Sequence, residues 1–102
     1  MATQPHLPLL TAPAALWDGT HQLAGQLELW DTVLVFRLSD FKFSNLNLTI
    51  PLAEIVEVEE YLVFDLARNG LRILTKNNRY DLFVLDDSRV FKLAILSSIA
   101  GL

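Results

Sequence analysis

The chain has no cysteine. That excludes disulfides, zinc–thiolate centres and iron–sulfur clusters, and it points to a reducing compartment. Histidine occurs only as His6 and His21, too little material for a metal site or a histidine-based catalyst. No phosphate-cradling glycine loop and no Gly-x-Ser-x-Gly elbow is present. No run approaches the ~18–20 apolar residues of a membrane-spanning helix. Basic residues are outnumbered, 8 Lys and Arg against 12 Asp and Glu. The resulting charge of −4 argues against nucleic acid, whose affinity rests on Lys and Arg at phosphates. What is abundant is apolar: 52% of residues are hydrophobic and 20% charged, which rules out intrinsic disorder. At 102 residues the chain is one domain. Folding should hide about two thirds of its surface, enough for a single core without staples.

Met1 to Pro13 holds Pro5, Pro8 and Pro13. Residues without N–H donors suit neither a helix nor an inner strand, so residues 1–13 read as an extended arm. Residues 14–102 read as the folded domain. From Ala14 to Leu85 the hydrophobic period is two, the mark of strands. Leu23, Gly25, Leu27 and Leu29 share one face, Asp31-Thr32 forms a tight turn, and Leu34, Phe36 and Leu38 continue the same alternation. Leu46 to Leu52, Val56 to Glu59, Leu71 to Lys76 and Tyr80 to Leu85 alternate likewise. The expected inward set is Leu23, Leu27, Leu34, Phe36, Ile50, Val56, Val58, Ile73, Leu82 and Val84. Asn77-Asn78 reads as a two-residue type I′ hairpin turn, since asparagine tolerates positive φ. After Asp86-Asp87-Ser88 the period becomes helical and runs to Gly101. The pattern predicts a mainly β chain: about seven antiparallel strands curled into a barrel, capped at one end by a C-terminal helix.

Gly25-Gln26-Leu27-Glu28-Leu29, then Val33-Leu34-Val35-Phe36, resembles the opening of the GRAM domain. Leu48-Thr49-Ile50-Pro51-Leu52-Ala53-Glu54-Ile55 resembles that family's strand and following corner. Arg68-Asn69-Gly70-Leu71-Arg72-Ile73 through Asn77, with Tyr80 to Val84, resembles the hairpin of its small bacterial members. The resemblance covers about Ala14 to Ile99. It implies a pleckstrin-homology-like (PH-like) barrel and a role in binding lipids or proteins. The sequence departs from the pattern at Trp30, and its Trp30-Asp31-Thr32 turn lacks the basic pair that many lipid-binding members carry.

Charge order supplies one candidate site. Glu54, Glu57, Glu59, Glu60 and Asp65 are followed by Arg68, Arg72, Lys76 and Arg79. Either the two stretches neutralise each other across neighbouring strands, or the basic hairpin faces an anion such as a lipid headgroup. Apolar residues in connections supply the other: Phe41, Phe43, Leu62, Phe64 and Leu66 either close the barrel or form a docking patch. The expected function is a non-catalytic binding module without metal or cofactor. It would dock a protein partner or a lipid surface and self-associate as a homodimer. The expected location is cytoplasmic, peripheral at a membrane if the basic hairpin docks lipid. The alternative is a small-ligand carrier or enzyme subunit with a site inside the barrel.

Overall fold

The computed structural model describes residues 7–18, 21–39, 47–63 and 68–102. Seven strands form one antiparallel sheet: β1 (Leu10–Asp18), β2 (His21–Leu29), β3 (Val33–Leu38), β4 (Leu48–Pro51), β5 (Ile55–Val63), β6 (Arg68–Thr75) and β7 (Tyr80–Val84). A 3₁₀ turn, Leu52–Glu54, joins β4 to β5, and helix α1 (Ser88–Ala100) ends the chain. The strand order is β4-β3-β2-β1-β7-β6-β5, so the first and last strands of the chain meet in the middle. The expected fold class holds. No helix among the described residues is long and apolar enough to cross a membrane.

The strand β1 takes in Leu10–Pro13, which proline content had placed in the arm. Pro13 is accommodated because β7 flanks β1 only over Ala15–Trp17, leaving Pro13 with a ladder on the β2 side alone. Gly25 of β2 pairs with Leu38 of β3. A Cβ there would lie 2.2 Å from the Arg37 carbonyl oxygen and 2.7 Å from the Phe36 ring.

The core is formed by Leu27, Leu29, Leu34, Phe36, Ile50, Leu52, Ile55, Val58, Leu71, Ile73, Phe83 and Leu85, with Phe91 and Ile95 of α1. Phe36 and Phe83 meet with ring centroids 5.6 Å apart. Among the described residues these side chains pack into one core, within a sheet whose end strands, β4 and β5, do not pair with each other. Of the expected inward set, Leu27, Leu34, Phe36, Ile50, Val58 and Ile73 are buried.

Leu23, near the start of β2, is only half-buried, and the departures at Val56 and in β7 have one cause each. Val56 is 60% exposed. Ile55 pairs with Thr75 and Glu57 with Leu74, which leaves Val56 as the extra residue of a β-bulge. The bulge lets Ile55 and Val58 both face inward although they are three apart. In β7 the buried residues are Asp81 and Phe83, followed by buried Leu85 just past its end, while Leu82 and Val84 are half-buried on the outer face. The hairpin before it has three loop residues, Lys76-Asn77-Asn78, closed by Thr75 N–H donating to Arg79 O at 3.0 Å. Only Asn78 has positive φ, at 62°. This is a type I turn followed by a left-handed residue, not the expected type I′. One extra loop residue shifts the register by one, which turns every β7 side chain over.

Helix α1 begins at Asp87, whose side chain caps nothing. Ser88 is buried instead and its Oγ reaches Glu60 Oε1 at 3.5 Å.

Candidate docking surface

Two of the four bases of the basic hairpin pair with carboxylates of the same chain. β6 sets Arg72 directly opposite Glu59 on β5, and the two form a salt bridge. The Arg72 guanidinium also lies 5.0 Å from the Tyr80 ring centroid. The hydrogen bond to Glu59 is the main cause that raises the Arg72 pKa above its ordinary value. Arg79 pairs with Asp81 at 3.3 Å. Lys76 stands exposed at the hairpin tip, its backbone N–H donating to Glu54 O at 2.9 Å. Arg68 lies opposite Val63 in the ladder, and its side chain is outside the description. At two of the four bases the neutralising arrangement is therefore the one realised. Phe41, Phe43, Phe64 and Leu66 lie outside the described residues; Leu62 is placed in β5 opposite Asn69 by its backbone alone.

Asp81 is the inward-facing carboxylate that the register shift creates. Its side chain is 8% exposed. Burial pushes its carboxyl above the usual range, and Arg79 opposes that only in part. It borders a small polar cleft of about 50 Å³ between the end of β4 and the β6–β7 hairpin, together with Thr49, Glu54, Thr75 and Asn77. On the far side of the sheet Glu28, also buried, accepts from Trp30 Nε1 and Arg37 Nε, both at 2.9 Å. This pairing gives the indole N–H of Trp30 its partner and ties the β2–β3 hairpin together. Among the described residues no group of three His, Cys, Asp or Glu could hold a metal ion.

The helix supplies what the connections were expected to supply. Phe91 and Ile95 enter the core, but Val90, Leu93 and Leu96 are 51%, 59% and 40% exposed. An apolar face this wide exceeds the stripe of roughly 100° that a single core contact covers. That surplus was readable in the sequence, where Val90, Phe91, Leu93, Ala94, Ile95, Leu96 and Ile99 occupy more than one face. Beside α1 the sheet ends at β5. Glu60 of β5 receives Arg89 at 3.6 Å and so holds the first turn of the helix against the strand. Glu54, in the turn before β5, and Glu57 of β5 are exposed, and the Glu57 charge adds to the pull on Arg72.

No known family profile matches the chain, and no curated protein matches it by sequence. Solved structures do match by shape. The C-terminal domain of an unknown protein from Leishmania infantum superposes with a TM-score of 0.81 at 16% identity, over 93% of this chain and 85% of that one. The Vps36 N-terminal PH domain superposes with a TM-score of 0.75 at 12% identity, over 99% of this chain and 84% of that one. The chain therefore has the PH-like fold.

Proposed function

We propose that this chain is a non-catalytic docking module of GRAM type whose ligand is a protein. The observation that carries the reading is the exposed apolar set of α1, Val90, Leu93 and Leu96, on a fold whose interior is filled. Apolar side chains on a helix that already buries Phe91 and Ile95 suit a macromolecular surface better than a small molecule. A carrier would need an internal cavity, and the packed Phe36, Phe83 and Phe91 speak against one. Lipid docking through the hairpin is weakened because Arg72 and Arg79 each face a carboxylate of the same chain. Self-association through the 41–43 and 62–66 segments belongs to the same proposal, as does a cytoplasmic site of action. Equilibrium sedimentation at micromolar concentration checks the former, and a monomer throughout would end it.

The test has two arms. A photo-crosslinking residue at position 90, on the helix, should give one discrete protein adduct in an extract of the source cells. Vesicles carrying anionic lipid should leave the chain in the supernatant at low salt. Absence of any adduct, with salt-sensitive vesicle binding that Arg72→Glu/Lys76→Glu abolishes, would replace the protein by a lipid surface.

A further inference from the structure

We infer that the solvent side of α1 recognises itself: a second copy of this chain lays its own α1 antiparallel across it, about a two-fold axis at the level of Ile95. The inference rests on the protein-docking reading above and names the partner.

Helical spacing defines the surface. Val90, Leu93, Ser97 and Ala100 are spaced three, four and three apart, the a and d spacing of a helix–helix seam, so they follow one another along one side of α1. Arg89 and Leu96 flank them. All six are exposed. Phe91 and Ile95, which enter the core, lie on the other side. A helix with one buried stripe normally turns a charged layer to solvent. Here that layer holds one charge, Arg89.

Size sets the orientation. The stripe is large in its first half, at Val90 and Leu93, and small in its second, at Ser97 and Ala100. With Ile95 of the two copies level, an antiparallel pair sets Val90 against Ala100 and Leu93 against Ser97. Each large side chain then meets a small one, and the two-fold repeats both contacts. A parallel pair would set Leu93 on Leu93 and leave Ala100 facing Ala100 across a gap, which close packing disfavours.

Charge selects the same arrangement. The charged residues of α1 are Arg89 and Lys92, both in its first half, and it contains no acid. Parallel packing would bring like charges together. Antiparallel packing puts Arg89 level with Gly101 of the second copy, at the negative end of that helix dipole. It separates the two Arg89 side chains by twelve residues, ~18 Å, beyond the ~8–10 Å screening length. The bond to Glu60 at 3.6 Å engages only Nε of Arg89, whose side chain stays 79% exposed. At 13 residues the helix is ~20 Å long, so its stripe falls short of the ~800 Å² per partner of a stable complex, and the pairing is reversible.

The experiment uses the whole purified chain. Sedimentation between roughly 10 and 500 µM should show a monomer–dimer equilibrium, since an interface this small dissociates on dilution. Leu93→Asp and, separately, Ser97→Arg should each weaken the dimer by about tenfold or more. Both positions are exposed, so thermal unfolding should stay near the native value; if one variant loses its fold, the other carries the test. Val56→Asp, which removes an exposed apolar residue outside α1, should leave the dimer unchanged. Orientation is read by trapping in this cysteine-free chain. Oxidising a mixture of Val90→Cys and Ala100→Cys should join one copy of each. Val90→Cys alone should join little, because its two copies would lie ten residues, ~15 Å, apart, against the roughly 4–7 Å between Cα atoms that a disulfide spans. A monomer at every concentration, a dimer that neither Leu93→Asp nor Ser97→Arg weakens, or self-joining of Val90→Cys equal to the mixed product would overturn the inference. If position 90 then crosslinks to a different protein, protein docking stands and only self-recognition falls. If it crosslinks to nothing, both fall.

Discussion

Replacing Gly25 by alanine is the sharpest test of how β2 and β3 are packed. The new methyl carbon would lie 2.2 Å from the Arg37 carbonyl oxygen and 2.7 Å from Phe36 Cζ. The Phe36 ring is 1% exposed and stacked near Phe83, so it has little room to turn away. The carbonyl belongs to the β2–β3 ladder, where Gln26 pairs with Arg37 and Gly25 with Leu38. Overpacking a filled interior costs ~1–3 kcal/mol. Here the obstacle is backbone, so relief also strains or breaks a ladder hydrogen bond worth ~1 kcal/mol. The expected loss is therefore ~2–4 kcal/mol, a large share of the ~5–15 kcal/mol of a typical domain. Urea unfolding should show the midpoint fall with an unchanged slope. Thermal unfolding should drop by roughly 8–32 °C, at ~4–8 °C per kcal/mol. Trimming the ring in Gly25→Ala/Phe36→Leu should recover little, because the carbonyl contact remains. A loss under ~0.5 kcal/mol, the ordinary cost of a surface substitution, would refute the close approach.

Two further outcomes concern the core and its buried acid. Ile73 is fully buried, and Ile73→Ala should cost ~2–5 kcal/mol in chemical unfolding; an unchanged midpoint would defeat the packing described. Burial raises the Asp81 carboxyl more than Arg79 lowers it. The folded chain then keeps that proton to higher pH than the unfolded chain. The carboxylate costs stability above the folded pKa, and the cost disappears below the unfolded value of ~3.9. Asp81→Asn should therefore be more stable than the native chain at neutral pH, with an advantage that shrinks as the pH falls towards about 4. A variant less stable at neutral pH would mean that the Arg79 pair outweighs burial.

How far the sequence carried the fold depended on whether one face of each strand was polar. β3 is apolar on both faces and buries Val35 as well as Leu34 and Phe36, whereas β2 and β6 alternate, and their inward Leu27 and Ile73 were legible. β7 was not, because Leu82 and Val84 compete with Phe83 and Leu85 for the inside. The choice then rests on hairpin length, and Asn77-Asn78 fits a two-residue loop as well as the three-residue loop that forms. The same single-residue shift hides Asp81, which an amphipathic pattern assigns to solvent. Val56 failed for a related reason: a bulge has no signature in the alternation of Val56, Glu57, Val58 and Glu59. Of the candidate sites, the charge order was legible as two opposed stretches, but not the pair Glu59–Arg72, which the strand register sets. The exposed flank of α1 was not, since hydrophobicity alone does not say which side of a helix the barrel will take.

The central seam of the sheet has a consequence for how the chain reaches this state. β1 meets β7 through only three pairs, Ala15–Val84, Leu16–Phe83 and Trp17–Leu82. Every other ladder joins strands that follow one another in the chain. Two meanders, β1–β4 and β5–β7, can thus form from local contacts, while the seam must close a loop of about 70 residues before any of its bonds is gained. Ordering by contact distance makes that closure the slow event. Substitutions at Leu34 or Ile50, whose pairing precedes that step, would then mainly slow folding, and those at Leu16 or Phe83, whose contacts form during or after it, would fall more on the rate at which the halves come apart.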